Sequence, residues 1–370
     1  GDDTIIVGNP SDFIGFDGGE DSISGGTGTD TLQIGTSTTS TGLTFITNDG
    51  SNFSVSLSGV ENINFFTSGT TLLADADTFV NLANITAESG VTGITLKASN
   101  STLNLASVNV ASAIATLAAT QSFGDGVRIT DSSNDSIGRT LIGTSGNDTL
   151  IGLGGDDTFR MGAGRDTLLG GEGDDVFEIA ASSDVTDPEG LNISGGNGTD
   201  SLILTSTSIS SLEFLAPNYT FDFIEIFDLS GGASAGVSVS ISAEFANRFT
   251  TIMGDGAADP LNIFEGNYSL NSGNTLSGIE TITNTKVNTS QTMTLFNGAT
   301  ISGLTSIQGT SDVNGVADDI INIRGDRDLS GVTLSNIEEL RIEDGQSSRQ
   351  TLGADSSSSF GLTEIIAFET

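Results

Sequence analysis

Apolar side chains recur along this chain on a nine-residue beat. Ile5, Ile14, Ile23 and Leu32 each stand two positions after an aspartate: Asp3, Asp12, Asp21 and Asp30. The same spacing returns downstream, where Leu150, Phe159, Leu168 and Phe177 follow Asp148, Asp157, Asp166 and Asp175. Alternate side chains of a strand face opposite sides, so a short strand centred on the apolar position gives one side chain to a core and turns its neighbours outward. Glycines fill the intervals. The full unit appears as Gly25-Gly-Thr-Gly-Thr-Asp-Thr-Leu-Gln33, Gly170-Gly-Glu-Gly-Asp-Asp-Val-Phe-Glu178 and Gly195-Gly-Asn-Gly-Thr-Asp-Ser-Leu-Ile203. A short strand followed by a sharp glycine turn, repeated at fixed period, predicts a solenoid of stacked coils. If two nine-residue halves complete one coil, Asp3 stacks on Asp21, Asp12 on Asp30, Asp148 on Asp166 and Asp157 on Asp175.

The polar half of the repeat carries the chemistry. A tight glycine turn leaves its carbonyls exposed, and carbonyls converging on a carboxylate make an all-oxygen shell that suits a hard cation such as calcium. One Asp-Gly turn alone reads as an ordinary hairpin. Two registers of four do not. Some units depart from the pattern: Pro10 replaces the fourth-position glycine before Asp12, and Leu153 the second-position glycine before Asp157. Upstream of the second block the in-register position holds Arg139, followed by Leu141. That turn can stack but cannot bind a cation, which marks where a metal-bearing stretch begins.

These motifs resemble the RTX family of secreted bacterial proteins. The resemblance implies an all-β fold, a right-handed parallel β-roll or β-helix solenoid with calcium-binding turns and a few short helices. It also implies that the sixth-position aspartates of successive same-side turns clamp Ca2+ with backbone oxygens. The residues expected in that role are Asp3, Asp12, Asp21, Asp30, Asp148, Asp157, Asp166, Asp175 and Asp200, with turn glycines Gly19, Gly25, Gly28, Gly155, Gly164 and Gly173. Asp259 and Asp319 join them from the degenerate turns Gly254-Asp-Gly-Ala-Ala-Asp-Pro-Leu261 and Gly315-Val-Ala-Asp-Asp-Ile-Ile321.

A second repeat lies beneath the first. Leu57-Ser-Gly-Val-Glu-Asn-Ile-Asn64, Leu276-Ser-Gly-Ile-Glu-Thr-Ile-Thr283 and Leu334-Ser-Asn-Ile-Glu-Glu-Leu-Arg341 share an apolar-Glu-x-apolar core, and Phe223-Ile-Glu-Ile-Phe-Asp-Leu229 is a looser copy. Recurrence argues against a catalytic carboxylate pair, so Glu61, Glu225, Glu280 and Glu338 are expected at strand edges, facing solvent or capping backbone donors. Runs such as Gly93 to Leu105 alternate apolar residues with Ser or Thr and read as half-buried strands. Ala111 to Ala119, and Ser242 to Met253 with Ser242 as N-cap, are the helix candidates. The boundaries expected are 1–34 for the first calcium turns, 35–134 for a solenoid segment, 135–204 for the central calcium block and 205–370 for a solenoid with degenerate turns. The turn paired with the Leu-Ser-Gly-Ile-Glu strand resembles calcium-dependent surface-layer proteins within the same family, which implies self-association into sheets or filaments and attachment to cell-surface polysaccharide.

Composition narrows the function classes. The 370 residues include 49 glycines and 20 phenylalanines but no tryptophan, which suits inward aromatic stacks in a thin core better than a globular interior or a sugar-binding platform. With 48 acidic against 11 basic residues, the net charge of -37 disfavours a compact state unless cations neutralise it, and makes nucleic acid and anionic membrane poor partners. Folding coupled to calcium follows as an expectation: disordered where the ion is scarce, ordered outside the cell. The absence of histidine and cysteine removes zinc proteases, the Ser-His-Asp triad and thiol nucleophiles, so no intrinsic enzyme activity is expected. No apolar run reaches membrane-spanning length, and no signal peptide opens the chain. Type I export through a C-terminal signal is what the resemblance implies, and a start at Gly1, inside a nonapeptide, suits a fragment or processed product.

Overall fold

Short strands that bury every second side chain build nearly the whole molecule. Thr31–Ile34, Asn62–Phe65, Thr71–Ala74 and Ile94–Ala98 each point alternate residues inward, and Leu32, Ile34, Ile63, Phe65, Leu72, Leu96 and Ala98 are fully buried. The computed structural model describes residues 1–8, 21–35, 44–46, 55–74, 79, 81–98, 101–119, 126–133, 136–185, 190–214, 219–232, 236–256, 259–264, 266–284, 291–296, 299–309, 319–324, 328–329, 332–337, 339–343, 351–352 and 364–368. Among them the strand pairings are parallel, and the fold is an all-β solenoid with almost no helix. Side-chain alternation dictates this outcome: a strand too short to bury an apolar face alone gains a continuous core when identical strands stack above and below it.

The chain divides into two units. In the first, Gly1–Glu178 with Leu191–Asp200, one face carries Thr4–Val7, Thr31–Ile34, Asn62–Phe65, Asn84–Ala87 and Asn109–Val110 in that order. A second face runs from Thr44–Ile46 through Thr71–Ala74, Ile94–Ala98, Ile114–Ala119, Thr140–Ile142 and Thr158–Arg160 to Val176–Ile179. A third carries Thr102–Asn104, Arg128–Thr130, Thr149–Gly154, Thr167–Glu172 and Asn192–Asn197. Among the described residues the first face ends at Asn109–Val110, and the coils of this unit that follow show two strand-bearing sides. Among the described residues the second unit also stacks parallel sheets, the longer runs starting at Ser201–Leu204, Ser211–Phe214 and Tyr268–Leu270.

This change of cross-section sets the coil length and corrects the expected pairing at the N-terminus. In the two-sided stretch, Asp148 stacks on Asp166 and Asp157 on Asp175 at a spacing of 18 residues, as the nine-residue beat predicts. At the N-terminus, Asp3 stacks on Asp30 at a spacing of 27, not on Asp21, whose strand Asp21–Ser24 pairs with Val55–Ser58. A coil with a third side needs a third strand and turn before the chain returns to the same register. Asp30 has Asp3 and Glu61 as its neighbours in the stack rather than Asp12, which lies with Gly19 outside the described residues.

Of the two helix candidates one is corrected and the other, capped by Ser242 as expected, is shortened. Within Ala111 to Ala119 the structure has the strand Ile114–Ala119, held between Ile94–Ala98 and Thr140–Ile142 with one register shift beside Ile114. Two ready-made strand edges outweigh the helix preference of alanine, which is a weak intrinsic bias. From Ser242 onward the helix is one turn, Ala243–Ala246, with the Ser242 hydroxyl accepting from the Phe245 amide at 3.3 Å, before Thr251–Met253 pairs with Ile226–Asp228. Ser182–Asp184 adds a 3-10 turn.

Phenylalanines line the interior as the composition suggests. Phe159 and Phe177 occupy one register position on adjacent coils and stack at 4.7 Å between ring centroids, and Phe227 and Phe249 stack at 5.1 Å. Truncating Phe177 to alanine removes its stacking partner and leaves a cavity that neighbouring coils fill poorly, so the calcium-loaded protein is expected to lose about 3–5 kcal/mol in denaturant unfolding.

Candidate metal centre

The sixth-position aspartates form columns inside the turns. Asp30, Asp148, Asp157, Asp166, Asp175, Asp200, Asp259 and Asp319 are all buried. One hydrogen bond repeats along the columns: the backbone amide of one coil donates to the Oδ1 of the aspartate on the next. It links Asp3 to Asp30 at 2.7 Å, Asp148 to Asp166, Asp157 to Asp175 and Asp175 to Asp200 at 2.8 Å each, and Val237 to Asp259 at 2.5 Å. The strand that follows each aspartate locks this geometry, because Thr149 pairs with Thr167 and Thr158 with Val176.

The second carboxylate oxygen points the other way. Asp30, Asp157 and Asp175 each bury Oδ2 without a hydrogen bond. That oxygen lies against the first-position glycine of its own turn, and a carbonyl from the next coil faces the same spot. A Cβ on Gly152 would collide with both Asp157 Oδ2 and the Gly170 carbonyl oxygen. Gly170 repeats this with Asp175 and Gly195, Gly25 with Asp30 and Gly59, Gly254 with Asp259 and Gly278, and Gly309 with Asp319 and Asn336. The first glycine of the motif is therefore required by space, since a side chain there would fill the cradle between a carboxylate and a carbonyl.

Two of the expected ligands differ from the rest. Asp148 Oδ2 accepts from the Thr144 amide at 2.5 Å, and Asp259 Oδ2 from the Asp255 amide at 3.0 Å. In both, the turn itself satisfies the second oxygen. Asp319 accepts from the Asn284 side-chain amide. Asp3 is exposed, the side chain of Asp21 lies outside the described residues, and Asp12 and Gly19 lie outside them altogether.

The fourth-position glycines serve a separate ladder that the sequence reading missed. Residues at the fifth position accept from the backbone one coil on: Asp156 from Asp174 at 2.9 Å, Asp174 from Thr199 at 2.7 Å, Asn147 from Arg165 at 2.9 Å and Asp2 from Thr29 at 2.9 Å. This ladder runs opposite to the sixth-position one. Gly28 and Gly173, at positive φ, leave room for Asp2 and Asp156, while Gly155 and Gly164 pack flush on the preceding backbone. The recurrence of Asp or Asn immediately before the sixth position was its visible signal.

The Leu-Ser-Gly-x-Glu repeat belongs to the same columns. Glu61 Oε2 accepts from the Asp30 amide and Glu280 Oε2 from the Asp259 amide, both at 2.8 Å. Each glutamate directly precedes a strand in register with the one after the aspartate. These two cap backbone donors, as expected; Glu338 lies outside the described residues.

Burial controls the electrostatics. It pushes Asp157 up to about 8 and Asp175 to about 7, against the amide hydrogen bonds that pull them down. Neighbouring carboxylates add to the rise, Asp131 and Asp175 acting on Asp157 and Asp200 acting on Asp175. Burial also raises Asp148 and Asp259. Among the described residues no three acidic side chains converge on one point. In each cradle a carboxylate oxygen faces a backbone carbonyl oxygen, and such all-oxygen donors fit a hard divalent cation.

With this geometry in place, comparison identifies the repeat. Residues 140–168 match the family model of the RTX calcium-binding nonapeptide repeat (4 copies). No curated protein and no solved structure gives a match to the chain. The chain is thus an all-β solenoid that carries RTX calcium-binding nonapeptide repeats at residues 140–168.

Without metal, protons must do what a cation would. Folded-state values above the unfolded carboxylate value mean that protonation favours the fold: this contribution is complete below the unfolded value of 3.8 and is lost as pH rises through about 7 and about 8. In chelator, circular dichroism is expected to show more β-structure at mildly acid pH than at pH about 8, and millimolar calcium to erase the difference. Equal structure at both pH values in chelator would contradict this.

Proposed function

We propose that calcium seats between successive coils and that the solenoid so hardened is a structural protein of the cell exterior, a component of a surface layer. The observation that carries this reading is the repeated cradle: Asp30, Asp157 and Asp175 each turn a buried carboxylate oxygen without a hydrogen bond toward a carbonyl of the next coil. Asp30 with Gly59, Asp157 with Gly170 and Asp175 with Gly195 would hold the ions, with Asp166 and Asp200 continuing the columns. Bound there, calcium supplies the positive charge that lets adjacent carboxylates stay ionised together.

Location follows from the same chemistry. A chain of net charge -37 that folds on binding calcium stays open where calcium is scarce and closes where it is abundant. RTX repeats are typical of secreted proteins, and among the described residues no helix is long and apolar enough to cross a membrane. A structural role is favoured over catalysis because the buried carboxylates recur at one register position coil after coil, whereas acid-base chemistry needs one distinguished pair. A repeated unit with neutralised carboxylates suits self-association into sheets or filaments, with cell-surface polysaccharide as the anchoring partner that the surface-layer resemblance implies.

Light scattering and electron microscopy during a calcium titration test the assembly. Ordered sheets or filaments at millimolar calcium are expected. A folded protein that stays monomeric throughout and binds glycans would instead make it an adhesin segment.

A further inference from the structure

The coil that precedes the central calcium turns carries its own cation. Arg139 stands at the aspartate position of its coil: its amide donates to Asp157 Oδ1 at 2.7 Å, the same bond that joins Asp157 to Asp175 and Asp175 to Asp200. The strand after it, Thr140–Ile142, pairs with Thr158–Arg160 in the same register. Its guanidinium turns inward rather than out. Nη1 reaches both oxygens of Asp131 at 2.9 and 3.0 Å and the Ile137 carbonyl at 3.4 Å, and Nη2 reaches the Val110 carbonyl at 3.3 Å. Both charged side chains are fully buried. Among the described residues the cage around this cation includes the Asp131 carboxylate and the Ile137 and Val110 carbonyls, oxygen donors like those of the turns that follow.

The position of the cage in the fold is equally specific. Among the described residues the first face of the solenoid ends at Asn109–Val110, which stands as an edge strand. Ser132, Ser133 and Arg139 reach that edge. The Ser132 hydroxyl donates to the Val108 carbonyl at 2.7 Å, Ser133 to Ala106 at 2.6 Å, and Arg139 to Val110. Arg139 therefore joins the closure of the third side to the start of the aspartate column.

We propose that Arg139 is a built-in cation that begins the Asp157, Asp175 and Asp200 column, so that the stacked strands Ile94–Ala98, Ile114–Ala119 and Thr140–Ile142 fold without metal and template the calcium-dependent coils after them. Arginine suits the task because its charge is permanent and its planar fork matches a carboxylate on one side and carbonyls on the other. Removing one partner of a buried ion pair is strongly destabilising even where the Ser132 amide still donates to Asp131, which makes the pair a sharp point of failure. The inference rests on calcium occupying the later turns.

Hydrogen exchange of the full chain, read by mass spectrometry with and without chelator, tests it. In chelator, amides of Ile94–Ala98, Ile114–Ala119 and Thr140–Ile142 are expected to stay protected while those of Val176–Ile179 and Asn192–Asn197 exchange. The Arg139→Ala variant is expected to lose the upstream protection in chelator by roughly a hundred-fold or more in rate. Calcium should restore it, with one more ion bound than wild type, now held by Asp131. Upstream strands of the wild type that open together with the downstream ones in chelator would overturn the inference while leaving the calcium reading intact. Downstream strands equally protected with and without calcium would overturn both. An Arg139→Ala chain as protected as wild type in chelator would also overturn the inference, and if that variant folds in neither condition the wild-type pattern decides alone.

Discussion

Everything in this molecule is arranged around carboxylates buried in columns. An ionised carboxylate withdrawn from water is costly unless a positive charge or full hydrogen bonding compensates it, and like charges on adjacent coils raise the cost. The chain meets half of that demand itself, by aiming one amide at one oxygen of each aspartate. The other half is left open at Asp30, Asp157 and Asp175, and the glycines that frame it have no side chain to spare. Strand stacking brings the charges together; what neutralises them decides whether the stack stands.

The same constraint explains where the columns end. Glu61 and Glu280 accept the last amide from Asp30 and Asp259. Arg139 opens the central column with a guanidinium in an oxygen cage, at the place where the solenoid loses one of its three sides. At Asp148 and Asp259 the turn's own amides fill the second oxygen. Each of these termini solves the problem with the chain's own atoms.

Much of this was legible in the sequence, for a physical reason. The aspartate and the inward apolar residue two positions later are fixed to each other by strand geometry, so the nine-residue beat reported strands, turns and buried carboxylates together. Register between coils was legible only where each coil consists of two such units, as at Asp148 with Asp166. At Asp3 it was hidden, because the number of sides per coil depends on which strands pair across the solenoid and no local pattern encodes that. Ile114–Ala119 was misread for the same reason: its neighbours in the sheet, not its alanines, determine its conformation. The equivalence of Glu61 with the aspartates was written in the shared acidic-x-apolar spacing, but the different turn before it obscured the match.

The central claim is that a divalent cation between coils holds the solenoid in shape, and far-ultraviolet circular dichroism with hydrodynamic radius across a calcium titration from full chelation tests it most directly. A cooperative gain of β-structure with contraction of the chain, saturating as calcium binds, is the predicted result. An unchanged spectrum and radius from chelator to millimolar calcium would contradict it.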